Sequence, residues 1–269
     1  MPVSPLVRRY DQLILDLDGC IYVGDEAVPG AVEAVETLRE AGKRLIFATN
    51  DPRHSTEDYV TKLWRIGLQA SLADVVTVGG AVQHLLAETR QGRTAFVIGA
   101  APLLRHVADA GLRVLNGTDL ASRAGVVVVG GSEDLAYGDL RDACLAIRRG
   151  ADFVATGRDP TYPQPDGLWP GTGAIVAAVE YATGRQASIV GKPEPQLFET
   201  ALDRLGDGRT LVVGDRLDSD VAAAQRAGLD AALVLSGGTT ALEATSGGKK
   251  ADGPKPIAVA ESLAVLVNG

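Results

Sequence analysis

Positive charge, aromatic side chains, cysteine and long apolar runs are all scarce in this sequence of 269 residues, and each shortage excludes something. Lys and Arg number 26 against 34 Asp and Glu, a formal net charge of −8. That balance argues against nucleic acid or an anionic membrane as the main partner and leaves room only for a local basic site. The two cysteines, Cys20 and Cys144, are too few for a disulfide framework and have no metal-type spacing, so a reducing cytoplasm is expected. No window approaches the length of a membrane-spanning helix, and the opening MPVSPLVRRYDQ lacks the apolar stretch of a signal peptide. Neither secretion nor membrane anchoring is expected. Aromatics make up 4% of the chain, so its core must be aliphatic.

What is present is the mixture of an ordinary α/β protein, 46% hydrophobic and 22% charged. The length suits two domains better than one. Short aliphatic runs alternate with Ala- and Leu-rich stretches: QLILDLD, GAVEAVETLREAG, KRLIFATN, then a helix near Thr56 to Ile66. This alternation means βαβ units and a parallel, doubly wound sheet. After Pro29 and Gly30, residues Ala31, Ala34, Val35 and Leu38 fall on one helical face, and Gly42 ends the helix. The rhythm returns late in ASIVGK, a helix near Pro195 to Leu205, TLVVGD, a helix near Ser219 to Gly228, and AALVLSGG, read as further strands and helices of the same sheet. Between lie TAFVIG, GVVVVGG and DFVATG with their own helices, around Pro102 to Ala110 and Asp139 to Arg149, which read as an inserted domain. The expected division is 1–78 and 186–269 for the first domain and 79–185 for the insertion. Ser246 to Pro256, rich in Gly, Pro and Lys, reads as a surface loop.

In open parallel sheets, ligands sit outside the carboxyl ends of the strands. Four of the expected strands end on polar residues. LILDLDGCIY supplies Asp16 and Asp18, which alternation sends to one side if the strand runs that far. LIFATN supplies Thr49 and Asn50, ASIVGKP supplies Lys192, and TLVVGDRLDSD supplies Asp215 followed by Asp218 and Asp220. Charges that repel each other at the edge of an apolar core are costly unless a cation lies among them or one of them does chemistry. Clustered carboxylates suit Mg²⁺, and the cation with Lys192 lets a phosphate dianion approach. In that setting Asp16 can attack phosphorus to form an acyl phosphate while Asp18 protonates the departing alcohol and later takes a proton from water.

DLDGC, FATN, VGKPEP and GDRLDSD, in this order, together with PGTGAIVAAVEYATGR, resemble the motifs of a haloacid dehalogenase superfamily phosphatase of the NagD-like subfamily IIA over nearly the whole chain. The resemblance implies a Rossmann-like core with an inserted α/β type C2 cap, and a Mg²⁺-dependent phosphatase acting on a small phosphomonoester through a phospho-aspartyl intermediate. It makes Asp16 the nucleophile and Asp18 the general acid/base, with the Asp18 backbone carbonyl also on Mg²⁺. Asp16 and Asp215 become metal ligands with Asp220 supporting the metal, Thr49 and Asn50 hold phosphate, Lys192 neutralises it, and the backbone N–H groups of Leu17, Asp18 and Gly19 add donors. Relatives often pair through their caps, which implies a homodimer. Phosphoryl transfer to another alcohol, as in a mutase, or a non-catalytic phosphate-binding protein on the same fold are the alternatives; dehalogenation does not need Asp18.

Asp218, beside a helix start, reads as its N-cap, leaving Asp220 to the metal. Cys20 has no nearby His and reads as a packed thiol, and His54, His84 and His106 show no ligand spacing. PGTGA lacks the Lys-Ser/Thr pair of a P-loop and reads as a turn. Two segments depart from the family pattern. Asp51 and Pro52 stand where relatives often have Asn and Ser, and Gly157 and Arg158 replace the usual Asn-Pro in FVATGRDPTYP. Arg158 is either a receptor for an anionic substrate group or a solvated loop charge.

Overall fold

The computed structural model describes residues 3–164, 167–247 and 253–269, so the loop reading of Ser246 to Pro256 lies partly outside the described residues. In chain order the strands are β1 (Gln12–Asp16), β2 (Tyr22–Val23), β3 (Glu26–Ala27), β4 (Arg44–Thr49), β5 (Val75–Thr77), β6 (Thr94–Ile98), β7 (Arg113–Val114), β8 (Val126–Val129), β9 (Asp152–Ala155), β10 (Thr161–Gln164), β11 (Gly167–Pro170), β12 (Ser188–Ile189), β13 (Thr210–Gly214), β14 (Asp230–Val234) and β15 (Ala258–Ala260). The helices are α1 (Ala31–Glu40), α2 (Thr56–Arg65), α3 (Val78–Thr89), α4 (Ala101–Asp109), α5 (Tyr137–Arg148), α6 (Thr172–Thr183), α7 (Gln196–Leu205), α8 (Ala222–Arg226), α9 (Ala241–Gly247) and α10 (Leu263–Asn268). They divide into two compact units, one of residues 1–49, 56–76 and 192–269, the other of residues 50–55 and 77–191.

The first unit is built on a six-stranded sheet ordered β15-β14-β13-β1-β4-β5. β1 lies between β13 and β4 and pairs parallel with both, Leu15 opposite Val213 on one side and Phe47 on the other. All five β1 residues are buried, which is why this strand reads as a continuous apolar run rather than an alternation. Leu13 and Leu15 join Phe47, Leu211, Val213 and Val234 with Leu38, Leu63 and Leu266 in one mainly aliphatic core, to which Tyr10, Tyr22 and Tyr59 also belong. The buried stripe of α1 is Ala31, Ala34, Val35 and Leu38, and Gly42 ends that helix at φ +73°.

The second unit has its own five-stranded sheet, ordered β12-β9-β8-β6-β7, whose pairings are all parallel, and a β10-β11 hairpin. Its core gathers Phe96, Val127, Val129, Phe153, Ile147 and Val176. One sequence-based assignment is corrected. The strand in ASIVGK pairs through Ser188 and Ile189 with Val154 and Ala155 of β9, so it extends this second sheet. A two-residue strand, Ser188 exposed and Ile189 half-buried, fits the edge of either sheet, and nothing in its own pattern separates them. The second unit accordingly runs to Gly191, six residues beyond the expected end of the insertion, and it takes in Asn50 to Ser55 as well.

That short segment is seated by side chains of its own unit. The Asp51 carboxylate accepts two bonds from the Arg53 guanidinium, at 2.8 and 3.1 Å, and lies 3.0 Å from His54 Nδ1. Arg53 also stacks 4.0 Å from the Tyr162 ring centroid, and Tyr162 donates its hydroxyl to Glu133 at 2.9 Å. The glycines of PGTGA serve close packing: a Cβ on Gly171 or Gly173 would collide with the backbone of Asp159 or Arg158.

Candidate active site

The carboxyl ends of β1 and β13, adjacent parallel strands, bring Asp16 and Asp215 together, and the turn after β13 adds Asp220. All three are buried, and each offers a carboxylate oxygen such that these atoms lie within 4.8 Å of one another. This is the one such acidic or His/Cys cluster among the described residues. Lys192, 4% exposed, reaches into it and donates from Nζ to Asp16 Oδ1 at 2.5 Å and to Asp220 Oδ1 at 2.7 Å. The other Asp220 oxygen accepts the Arg216 backbone N–H at 3.1 Å. Gly214 has to be glycine for this, since a Cβ there would lie 2.6 Å from Asp220 Oδ2.

The charges are held against their solvation. Burial pushes the Asp16 carboxyl well above its ordinary value; Asp220 and Asp215 push the same way, while Lys192 opposes them. Asp215 is pushed up to about 6, first by burial and then by Asp220, with the Gly238 N–H and Lys192 opposing. For Lys192 burial alone would favour the neutral amine, but Asp16 and Asp220 outweigh it and keep the ammonium. Three carboxylates against one ammonium leave two negative charges in a buried set of oxygen donors, which fits a hard divalent cation such as Mg²⁺.

The strand stops at Asp16, so Asp18 is not its continuation. It lies in a tight turn, with the N–H groups of Cys20, Ile21 and Tyr22 all directed at the Leu17 carbonyl, and its side chain is exposed where that of Asp16 is buried. Gly19 sits in that turn at φ +76°, and its N–H is donated to the Tyr22 carbonyl at 2.8 Å. This position requires glycine for its positive φ and also for space: a Cβ would stand 2.7 Å from Asp215 Cγ. Thr49, buried, is the last residue of β4. Asn50 belongs to the second unit, where its Nδ2 lies 3.3 Å from Asp159 Oδ2.

Arg158 engages both oxygens of Glu180, at 2.6 and 2.9 Å, and reaches Gln186 at 3.3 Å. The expected N-cap role of Asp218 is corrected: its side chain is 78% exposed and 3.4 Å from Arg216 Nε, the N-cap position is that of Arg216, and Asp220 is the carboxylate that accepts the Arg216 backbone N–H. The turn here is a π-helical one over Leu217–Val221, which shifts the side chains off the α-helical register that the sequence suggested. Cys20 is fully buried, and burial raises its thiol well above the ordinary range. A hollow of about 470 Å³ along α2, lined by Val60, Trp64 and Leu72 among others, contains none of these residues.

Sequence reasoning passed over the loop after β14. There Ser236 Oγ donates to the Gly19 carbonyl at 2.7 Å, the Gly238 N–H donates to Asp215 Oδ2, and the Thr239 N–H donates to the Asp215 carbonyl at 3.1 Å. The paired glycines of LSGGTT at the carboxyl end of a strand were the available signal for close backbone approach.

Fold and site together define an α/β enzyme with a buried acidic centre suited to a divalent cation. Family models agree: residues 13–113 match the haloacid dehalogenase-like hydrolase model and residues 189–266 a second HAD-hydrolase-like one. The chain belongs to the haloacid dehalogenase-like hydrolases. It is 39% identical over 244 residues to the D-glycerol 3-phosphate phosphatase of Mycobacterium tuberculosis, covering 90% of this chain and 67% of that one. With human chronophin it shares 36% identity over 246 residues, 86% of this chain and 83% of the relative. Among solved structures, the glycerol phosphate phosphatase of M. tuberculosis in complex with magnesium superimposes with a TM-score of 0.90 at 36% identity, covering 98% of this chain and 78% of that one. The 4-nitrophenylphosphatase of Thermotoga maritima does so at 0.88 and 32% identity, covering 98% of both chains.

Proposed function

We propose that the protein hydrolyses a small phosphomonoester of the glycerol phosphate, sugar phosphate or phosphoglycolate kind through a phospho-aspartyl intermediate on Asp16. It is a phosphoric monoester hydrolase, and its cofactor is Mg²⁺. The observation that carries the reading is the buried cluster of Asp16, Asp215 and Asp220 around Lys192. Asp16, Asp215 and the backbone carbonyl of Asp18 hold the cation, and Asp220 supports it. When bound, Mg²⁺ offsets the carboxylate charge and polarises the phosphoryl oxygens.

The chain's own residues do the rest. Lys192, kept protonated by its two carboxylates, orients Asp16 and neutralises the incoming phosphoryl group. Asp16 attacks phosphorus, and Asp18, on its exposed turn, delivers a proton to the leaving alcohol and then removes one from the attacking water. Thr49, Asn50 and the backbone N–H groups of Leu17 and Asp18 bind phosphoryl oxygens. Gly19 assists by leaving room beside Asp215. Arg158 reads an anionic leaving group if it exchanges Glu180 for the substrate. The enzyme works in the cytoplasm and pairs through its second unit; the unpaired thiols of Cys20 and Cys144 are in keeping with the first, and the second rests on family resemblance. Among the described residues no helix is long and apolar enough to cross a membrane.

The test is a panel of phosphomonoesters assayed for phosphate release with Mg²⁺ and with excess chelator. Release that depends on Mg²⁺ and favours one small ester is expected; full activity in chelator overturns the mechanism.

A further inference from the structure

The loop Ser236 to Thr239 touches both halves of the acidic centre. It is bonded to the Gly19 carbonyl through Ser236, and to Asp215 through the Gly238 N–H on the carboxylate and the Thr239 N–H on the backbone. Thr239, itself buried, accepts the Leu217 N–H on its hydroxyl at 3.4 Å, which ties the loop to the turn after Asp215. Gly237, itself exposed to solvent, lies against both halves. A Cβ on Gly237 would stand 2.6 Å from Gly19 Cα and 2.7 Å from Asp215 Cγ, and a Cβ on Gly19 would in turn stand 2.9 Å from Gly237 Cα. Contacts under 3.0 Å require a shift. Gly237 does not have a positive φ, so the requirement for glycine at this position comes from space and not from backbone conformation.

We infer that Gly237, with Ser236 and Gly238 on either side, is a positioning device that fixes the spacing between the Asp16–Gly19 turn and Asp215, and thereby selects a small cation over a large one. The Gly238 N–H fixes one Asp215 oxygen and so sets the direction of the other. Mg²⁺ demands near-ideal octahedral geometry at about 2.0–2.1 Å, whereas Ca²⁺ accepts irregular geometry at about 2.3–2.6 Å. A methyl group at position 237 pushes Asp215 and the Gly19 turn apart, which harms the smaller ion more. This rests on the proposed Mg²⁺ centre.

The experiment is titration calorimetry of Mg²⁺ and of Ca²⁺ into the intact protein, free of substrate, for wild type, Gly237→Ala and Ser236→Ala. Gly237→Ala is expected to weaken Mg²⁺ binding about tenfold or more and Ca²⁺ binding by clearly less, so that the Ca²⁺/Mg²⁺ affinity ratio rises. Ser236→Ala, which loses only the bond to the Gly19 carbonyl, shifts the ratio the same way by about two- to threefold. If circular dichroism shows that Gly237→Ala does not fold, Ser236→Ala decides. An unchanged ratio, including equal loss of both ions, overturns the inference. A wild-type protein that binds no Mg²⁺ overturns the proposed function instead.

Discussion

Replacing Lys192 by methionine removes the single ammonium from a set of three buried carboxylates while keeping the length and most of the volume of the side chain. At the observed separations of 2.5 and 2.7 Å and an effective dielectric constant of about 20, each ion pair is worth roughly 6 kcal/mol of Coulomb energy. Desolvation of the three side chains, which are 4%, 10% and 2% exposed, consumes most of that. Removing one partner of such a buried set costs about 3–5 kcal/mol, because the remaining charges lose their compensation. Against a total stability of about 5–15 kcal/mol, Lys192→Met is expected to lower the urea midpoint of chelator-treated protein sharply. Mg²⁺ is then expected to stabilise the variant more than the wild type, since the excess negative charge at the centre rises from two to three. Phosphate release falls all the same, by about 10²–10³ in kcat, for want of a cation on the phosphoryl group. A loss of stability under about 1 kcal/mol without metal, or equal stabilisation of the two proteins by Mg²⁺, refutes the reasoning.

Asp16→Asn is expected to abolish turnover and the trapped phospho-enzyme, whereas Asp18→Asn slows alkyl phosphates far more than p-nitrophenyl phosphate, whose leaving group needs little protonation; equal losses on both esters contradict the role of Asp18. Arg158→Ala lowers kcat/KM about ten- to a hundredfold for a preferred anionic substrate and barely for p-nitrophenyl phosphate, while a Glu180→Gln variant, freeing the guanidinium, does not reproduce the loss; no loss in Arg158→Ala makes the residue a surface partner of Glu180 only. The Tyr10 hydroxyl, bonded to Asp230 at 2.7 Å, is pushed up to about 12 by burial and then by that carboxylate. The folded state thus keeps its proton to higher pH than the unfolded chain, and the contribution is whole below about pH 10 and lost as pH rises through 12. Urea midpoints between those values are expected to fall more steeply for wild type than for Tyr10→Phe, and parallel curves refute the linkage.

The residues at the ends of β1 and β13 were legible because a buried central strand has few reasons to finish on a carboxylate. Lys192 was legible as a charge following a short aliphatic run, although the strand before it turned out to be an edge strand of the other sheet. Asp220 was rightly left to the acidic centre, whereas the cap role given to Asp218 failed because the turn over Leu217–Val221 is π-helical and is capped by Arg216. The Gly237 contact was invisible for a different cause: composition marks a glycine, but only the fold reveals which backbone comes against it. Likewise nothing in FATNDPRHST announces that the chain changes allegiance between Thr49 and Asn50.

That change of allegiance bears on how such proteins can be recombined. The stretch 77–191 looks like a self-contained cassette, with its own sheet and core, that could be exchanged to alter specificity. Yet the seat of residues 50–55 is furnished by Tyr162 and Glu133, while Asp51, Arg53 and His54 themselves lie upstream of the cassette. A graft of 77–191 alone would therefore carry away the aromatic platform and leave its arginine behind, next to the Thr49 and Asn50 pair. A workable chimaera has two inserts to move, the long one and this six-residue one, because the two are packed as one unit although they are separated in the chain.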